Sequence, residues 1–162
     1  MNPTRKQIWK AWIATGLWLG LIAAESTNWL SAENTSRILY PIFHFLTGVD
    51  RVRFEVWDYY IRKIGHFSGY FGLSLLLFSA WRASLPRPGG IRWTYRWAMI
   101  AFFMSVLVAS LDEWHQTYLI SRSGTLHDVL LDSAGVLTAQ ILIFLYLRCG
   151  LTWSGRQPAT GD

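Results

Sequence analysis

The sequence predicts an all-α integral membrane protein, a four-helix bundle with short interfacial helices between helices 1 and 2. Three observations carry that prediction: apolar residues gather into four charge-free blocks, aromatic residues sit near the block ends, and basic residues segregate between connections. Of the 162 residues 52% are hydrophobic and only 15% charged, more apolar than an ordinary soluble domain. The length suits a single domain over 1–162.

The blocks are Ala11–Ala24, Phe67–Trp81, Trp97–Leu111 and Ser133–Leu147, and none contains Asp, Glu, Lys or Arg. Each is shorter than the ~20 residues that cross a hydrocarbon core. A spanning helix must therefore extend into its polar neighbours, which gives helices over about 8–26, 65–82, 96–114 and 128–148. Trp9, Trp29, Trp57, Trp93, Trp97 and Trp153 fall near the block ends, where indole rings suit the headgroup level. A soluble bundle is the alternative for runs of this length. It would need polar outer faces, and Phe67–Trp81 and Ser133–Leu147 are apolar nearly all round.

Arg5, Lys6 and Lys10 precede the first block, which ends Ala23-Ala24 and so also resembles a cleaved signal peptide. Ile22 stands where the small-x-small rule requires a small residue, so the segment is read as a retained helix 1. In the connection 27–62, Ile38, Leu39, Ile42, Phe43 and Leu46, then Val52, Phe54, Trp57, Tyr60 and Ile61, alternate with charges as in one or two interfacial helices. Asn34-Thr35-Ser36 matches a glycosylation sequon but reads as a helix cap. Cys149, the single cysteine, excludes an intrachain disulfide and a thiol metal cluster and reads as an inert thiol at the end of the last helix.

Charge sets the orientation. Arg5, Lys6, Lys10, Arg82, Arg87, Arg92, Arg96, Arg148 and Arg156 lie at the termini and around the Pro86-Arg-Pro-Gly-Gly90 turn, against Asp162 alone. The other two connections hold six cations and the nine remaining acids. The positive-inside rule then puts both termini in the cytoplasm, and the net charge of +5 needs no nucleic-acid partner.

The chemistry gathers in two stretches, Arg62 to Leu73 and Asp112 to Gly135. On a helix Lys63, His66 and Tyr70 share one side, Asp112, Glu113 and Gln116 lie together on another, and Asp128, Asp132 and Gly135 share a third. Alternating topology brings the start of helix 2, the end of helix 3 and the start of helix 4 to the same outer side. Acids near hydrocarbon are costly unless paired or facing a wet cavity, so these residues should turn inward toward Lys63, His66 and Arg122. Gly135 would let a neighbouring helix approach closely. An ion-pair network that only pins the bundle is the plain alternative.

The run Asp-Glu-x-His-Gln, then Arg-Ser-Gly-Thr-x-x-Asp-Val, then Asp-x-x-Gly, with Lys-x-x-His ahead of an apolar helix, resembles the VanZ-like family of bacterial membrane proteins over roughly residues 8–147. The resemblance implies a four-helix membrane protein in a family whose founding member raises resistance to the lipoglycopeptide teicoplanin. It carries over to Lys63, His66, Asp112, Glu113, Gln116, Arg122, Asp128, Asp132 and Gly135. Asp132 stands where Asn is frequent in the family, and Ala139 replaces a second small glycine position. His115 and His127 read as surface or interfacial histidines. Ser121-Arg122, His127 and Asp132 also resemble the signature of membrane type 2 phosphatidic acid phosphatases. There the histidine is one residue early, about 100° around a helix, which misaligns a nucleophile.

Together these readings make His66, Asp112, Glu113 and Asp128 candidate catalytic groups, and Lys63, Tyr70, Gln116, Arg122 and Asp132 candidate binding groups. The expected partners are membrane lipids, in particular a phospholipid or lipid-linked envelope intermediate whose phosphate Lys63 and Arg122 hold. No cofactor is expected. A metal on His66, Asp112, Glu113 and Asp128 has suitable ligand types, but Lys63 and Arg122 nearby would repel a cation. The contrasting class is a non-enzymatic membrane scaffold or helper.

Overall fold

A computed structural model describes residues 3–27, 31–85, 92–119, 122 and 124–153, without the side chains of 32, 33 and 148–153. The described residues form five helices and no strand: α1 (Arg5–Glu25), α2 (Ala32–Thr47), α3 (Arg51–Ser84), α4 (Tyr95–Gln116) and α5 (Leu126–Trp153). The Pro86–Gly90 turn and the Cys149 thiol lie outside the described residues. Helices start where a side-chain oxygen can take an orphan amide. Asp50 accepts from the Arg53 N–H at 2.8 Å, and Thr94 from that of Trp97 at 3.4 Å. The cap of α2 is Ser31, which accepts from the Asn34 N–H at 3.4 Å. Asn34-Thr35-Ser36 therefore lies inside the helix, contrary to its reading as a cap.

The 27–62 connection also differs from expectation. Its first half is the amphipathic α2, but its second half is the start of α3, one unbroken helix of 34 residues. Nothing in Arg51–Ser84 breaks a helix: it has no proline, and Arg51–Glu55 and Arg62–Asp58 ion pairs at i,i+4 spacing support its polar part. The chain reverses between α2 and α3 at Gly48, whose φ of 68° lies in the left-handed region. Glycine adopts that region without strain. Phe54 then packs against Tyr40 and Phe43 of α2.

Helix α3 is the hub of the bundle, packing against α1, α2, α4 and α5. Its Leu73, Leu77 and Phe78 meet Trp97, Ala101 and Val136 in the core. Two glycines set the spacing. A β-carbon on Gly72 would lie 2.6 Å from the Trp18 ring, and the indole N–H of Trp18 donates to the Gly69 carbonyl at 2.8 Å. These contacts make α1 an integral part of the fold. A β-carbon on Gly135 would overlap the Phe67 carbonyl oxygen, so glycine here permits the α3–α5 approach that the sequence anticipated. Ala139 is fully buried in the same helix.

The exterior is apolar. Trp9, Ile13, Leu17 and Leu21 expose one face of α1, Phe103, Leu107 and Leu111 one face of α4, and Leu137, Ile141 and Leu145 part of α5. Such faces fit a hydrocarbon surround better than water. Among the described residues two helices are long and apolar enough to cross a membrane, α4 over Tyr95–Gln116 and α5 over Leu126–Leu147. In α1 the charged ends and the tryptophans dilute the hydropathy, and in α3 glycines, serines and Arg82 do the same.

Candidate functional site

The end of α4 and the start of α5 meet the middle of α3 at one end of the bundle. His66 comes from the middle of α3, Glu113 from the last turn of α4, and Asp132 from the second turn of α5. Gly135 lies one turn beyond Asp132, so the α3–α5 contact that glycine permits also carries Asp132 against His66. The His66 Nδ1 stands 3.6 Å from Asp132 Oδ1 and 4.0 Å from Glu113 Oε1. Both carboxylates are buried, Asp132 with 0% and Glu113 with 3% relative exposure.

The loop after α4 holds Glu113 from the other side. The Thr125 N–H donates to Glu113 Oε2 at 3.0 Å, and a β-carbon on Gly124 would overlap the Glu113 carbonyl oxygen. Buried oxygens normally find donors. Among the described residues, however, Glu113 Oε1 and both oxygens of Asp132 make no hydrogen bond.

Two smaller groups flank this centre. Tyr70 Oη donates to Asp112 Oδ2 at 2.9 Å, and the Gln116 amide donates to the same oxygen at 3.3 Å. Lys63 pairs with Asp128, whose place in the first turn of α5 also suits the positive end of the helix dipole. Arg122 donates to the Glu25 carbonyl and, at 3.2 Å, to that of Thr27. Burial, and then the charge of Arg62, lower the Arg122 pKa.

Arg62, Arg122 and His66 wall a cleft of about 260 Å³ between α2, α3 and the loop after α4. Arg62 is fixed there by Asp58 Oδ2 at 2.9 Å and by Thr35 Oγ1. Glu25, Gly65 and His66 also wall a smaller cavity of about 10 Å³ that reaches Tyr70 and Asp112. That is about the size of one water. Arg62, Arg122 and His66 thus line the opening together with Asp58 and Glu25, and the buried acids Glu113 and Asp132 lie behind His66.

The nine candidate residues accordingly fall into adjacent groups rather than one mutual cluster: His66 with Glu113 and Asp132, Asp112 with Tyr70 and Gln116, Lys63 with Asp128, and Arg122 across the cleft. His115 and His127 are exposed, and Ser121 lies outside the described residues. Sequence reasoning passed over Arg62, Glu25, Gly124 and Thr125. Arg62 had a signal, since Asp58 stands at i−4 to pair with it and aim it. The Thr125 backbone N–H had none, because any residue but proline carries one.

Such a bundle, with its apolar exterior and a polar centre at one end, defines a helical membrane protein. The chain matches the VanZ/LLP1 family over residues 11–147 and belongs to it. No curated protein and no solved structure matches the chain.

Proposed function

We propose that this VanZ-family protein binds the phosphate of an anionic lipid or lipid-linked cell-envelope intermediate at an outward-facing site in the bacterial cytoplasmic membrane. Helices α1, α4, α5 and the second part of α3 cross the bilayer, α2 lies in the interface, and both termini face the cytoplasm. The observation that carries the reading is the cleft, where two guanidinium groups and an imidazole, three basic groups against the two carboxylates of Asp58 and Glu25, share one cavity wall. Guanidinium forks grip phosphate oxygens at two points. The exposed apolar residues of α2, among them Ile38, Ile42 and Phe45, would place the cleft mouth at headgroup depth. Lys63 and Asp128 then act as a strut beside the site rather than as phosphate ligands. Glycopeptide susceptibility is the cellular trait such binding would change.

Purified protein should bind vesicles containing phosphatidylglycerol or phosphatidic acid more tightly than phosphatidylcholine vesicles. Arg62→Gln and Arg122→Gln should weaken that preference together without lowering the thermal unfolding temperature. Orientation is tested separately. In a Cys149→Ser background, labelling of a Gly89→Cys variant only from outside the cell would place the site in the cytoplasm and end the envelope reading.

The Lys63–Asp128 and Arg62–Asp58 pairs favour one other reading, a non-enzymatic scaffold whose polar cluster only pins helices. In that case the arginine variants lose stability in proportion to any loss of binding, because the partner left behind is an uncompensated charge.

A further inference from the structure

From the buried face of the cluster we infer that His66, Glu113 and Asp132 form a binding site for a divalent transition-metal cation, zinc above all. One ligand atom from each side chain falls within a set whose members all lie within 4.8 Å of one another. Four-coordinate zinc with bonds of ~2.0–2.1 Å separates its ligand atoms by ~3.4 Å. The His66–Asp132 and His66–Glu113 separations of 3.6 and 4.0 Å need a small closure to reach that geometry, and the two carboxylates, within 4.8 Å of one another, need a closure of no more than about 1.4 Å.

The second observation is independent of spacing. Asp132 is fully buried with both oxygens lacking a hydrogen bond among the described residues, and Glu113 Oε1 is in the same condition. Buried carboxylates are held by partners or by metal. A neutral imidazole with two carboxylates carries a charge that a divalent cation cancels.

The cations that argued against a metal on sequence grounds have partners outside the triad. Lys63 is drawn to Asp128, and Arg122 extends to the Glu25 and Thr27 carbonyls. The set also differs from the one the sequence suggested. Asp112 is taken by Tyr70 and Gln116, and Asp128 by Lys63, while Asp132 completes the triad.

Three protein ligands leave the fourth position of zinc open, the pattern of sites that take water or substrate. His66 is common to the triad and the cleft wall, so that position would open toward Arg62 and Arg122. The metal assignment stands without the lipid reading, and only the identity of an incoming phosphate oxygen rests on it.

The test uses the full chain in detergent, stripped with chelator and equilibrated with Zn²⁺ with no added lipid. Elemental analysis after gel filtration should find about one zinc per chain. Asp132→Asn and His66→Gln should weaken binding by more than about 100-fold, the upper end of the loss from removing a mere outer-shell partner. His115→Gln, which changes an exposed histidine, should bind as the parent does. A chain that retains no zinc, or an Asp132→Asn variant that retains it fully, overturns the proposal. Because a ligand variant could misfold, Co²⁺ loading of the unaltered chain supplies a second reading. Intense visible absorption of a four- or five-coordinate ion supports the site, and the weak spectrum of hydrated Co²⁺ overturns it. Failure of vesicle binding alongside normal zinc binding would sink the lipid reading and leave the metal site intact.

Discussion

The two halves of α3 lie in unlike surroundings. Around Leu73 to Ala80 polar groups are few, and most are matched: Gln140 Nε2 donates to Ser74 Oγ at 2.8 Å, Ser74 Oγ to the Val136 carbonyl at 3.3 Å, and Ser105 to the Ala101 carbonyl at 2.8 Å, with the neutral Gln140 Oε1 left without a partner among the described residues. Around His66 the polar groups are many, and buried oxygens of Glu113 and Asp132 go unmatched among the described residues. A helix that needed only to be fixed would use the first arrangement throughout. The second leaves two buried acids beside a single imidazole, and on that difference the proposed ligand site rests.

The sharpest test of that contrast is Gly135→Val, because its side chain would press on the Phe67 backbone, which cannot swing aside as a flexible side chain can. Overpacking costs about 1–3 kcal/mol, and the upper end is expected, read as a lower unfolding temperature in detergent and as displacement of Asp132. Next comes Ser74→Ala in the matched half. It leaves the buried Gln140 amide without the hydroxyl it donates to. The amide keeps only the longer bond, 3.5 Å, to the Ser74 carbonyl, and weakening a buried donor in this way should lower stability by about 1–2 kcal/mol.

Asp132→Asn should behave in the opposite way. It removes buried charge, and an amide there can donate to His66, so stability should stay within about 1 kcal/mol of the parent or rise, while ligand binding is lost. A loss as large as that of Ser74→Ala would mean that the two halves of α3 are built alike. The smallest effect belongs to Glu55→Gln. The Arg51–Glu55 pair is exposed on both sides, and such pairs contribute about 0–1 kcal/mol.

Helices α1, α4 and α5 were legible because their charge-free runs announce them. The continuity of α3 was not, because charges at 50–63 resemble a connection when only hydropathy is read, although i,i+4 pairing makes the same charges helix-stabilising. Within the candidate site, the helical faces of Lys63, His66 and Tyr70, and of Asp128 and Asp132, could be read from periodicity. Which acid meets His66 could not. That choice depends on the depth to which α5 slides against α3, which the overlap at Gly135 fixes and no local spacing reveals. The cleft was also beyond reach, since it needs α2 and the loop after α4 to stand on either side of Arg62.

Helix α3 runs for 34 residues without a break. At a rise of roughly 1.5 Å per residue it is about 51 Å long. A hydrocarbon core is only about 30 Å thick, so in the proposed topology, with the second part of α3 in the bilayer, the first part stands clear of it. With no proline in α3 to bend it, its first half is a lever arm rather than a tether. His66 sits about 22 Å along that arm from Arg51, and α2 is clasped to the free end through Phe54. One continuous backbone therefore ties the position of α2 to that of the histidine.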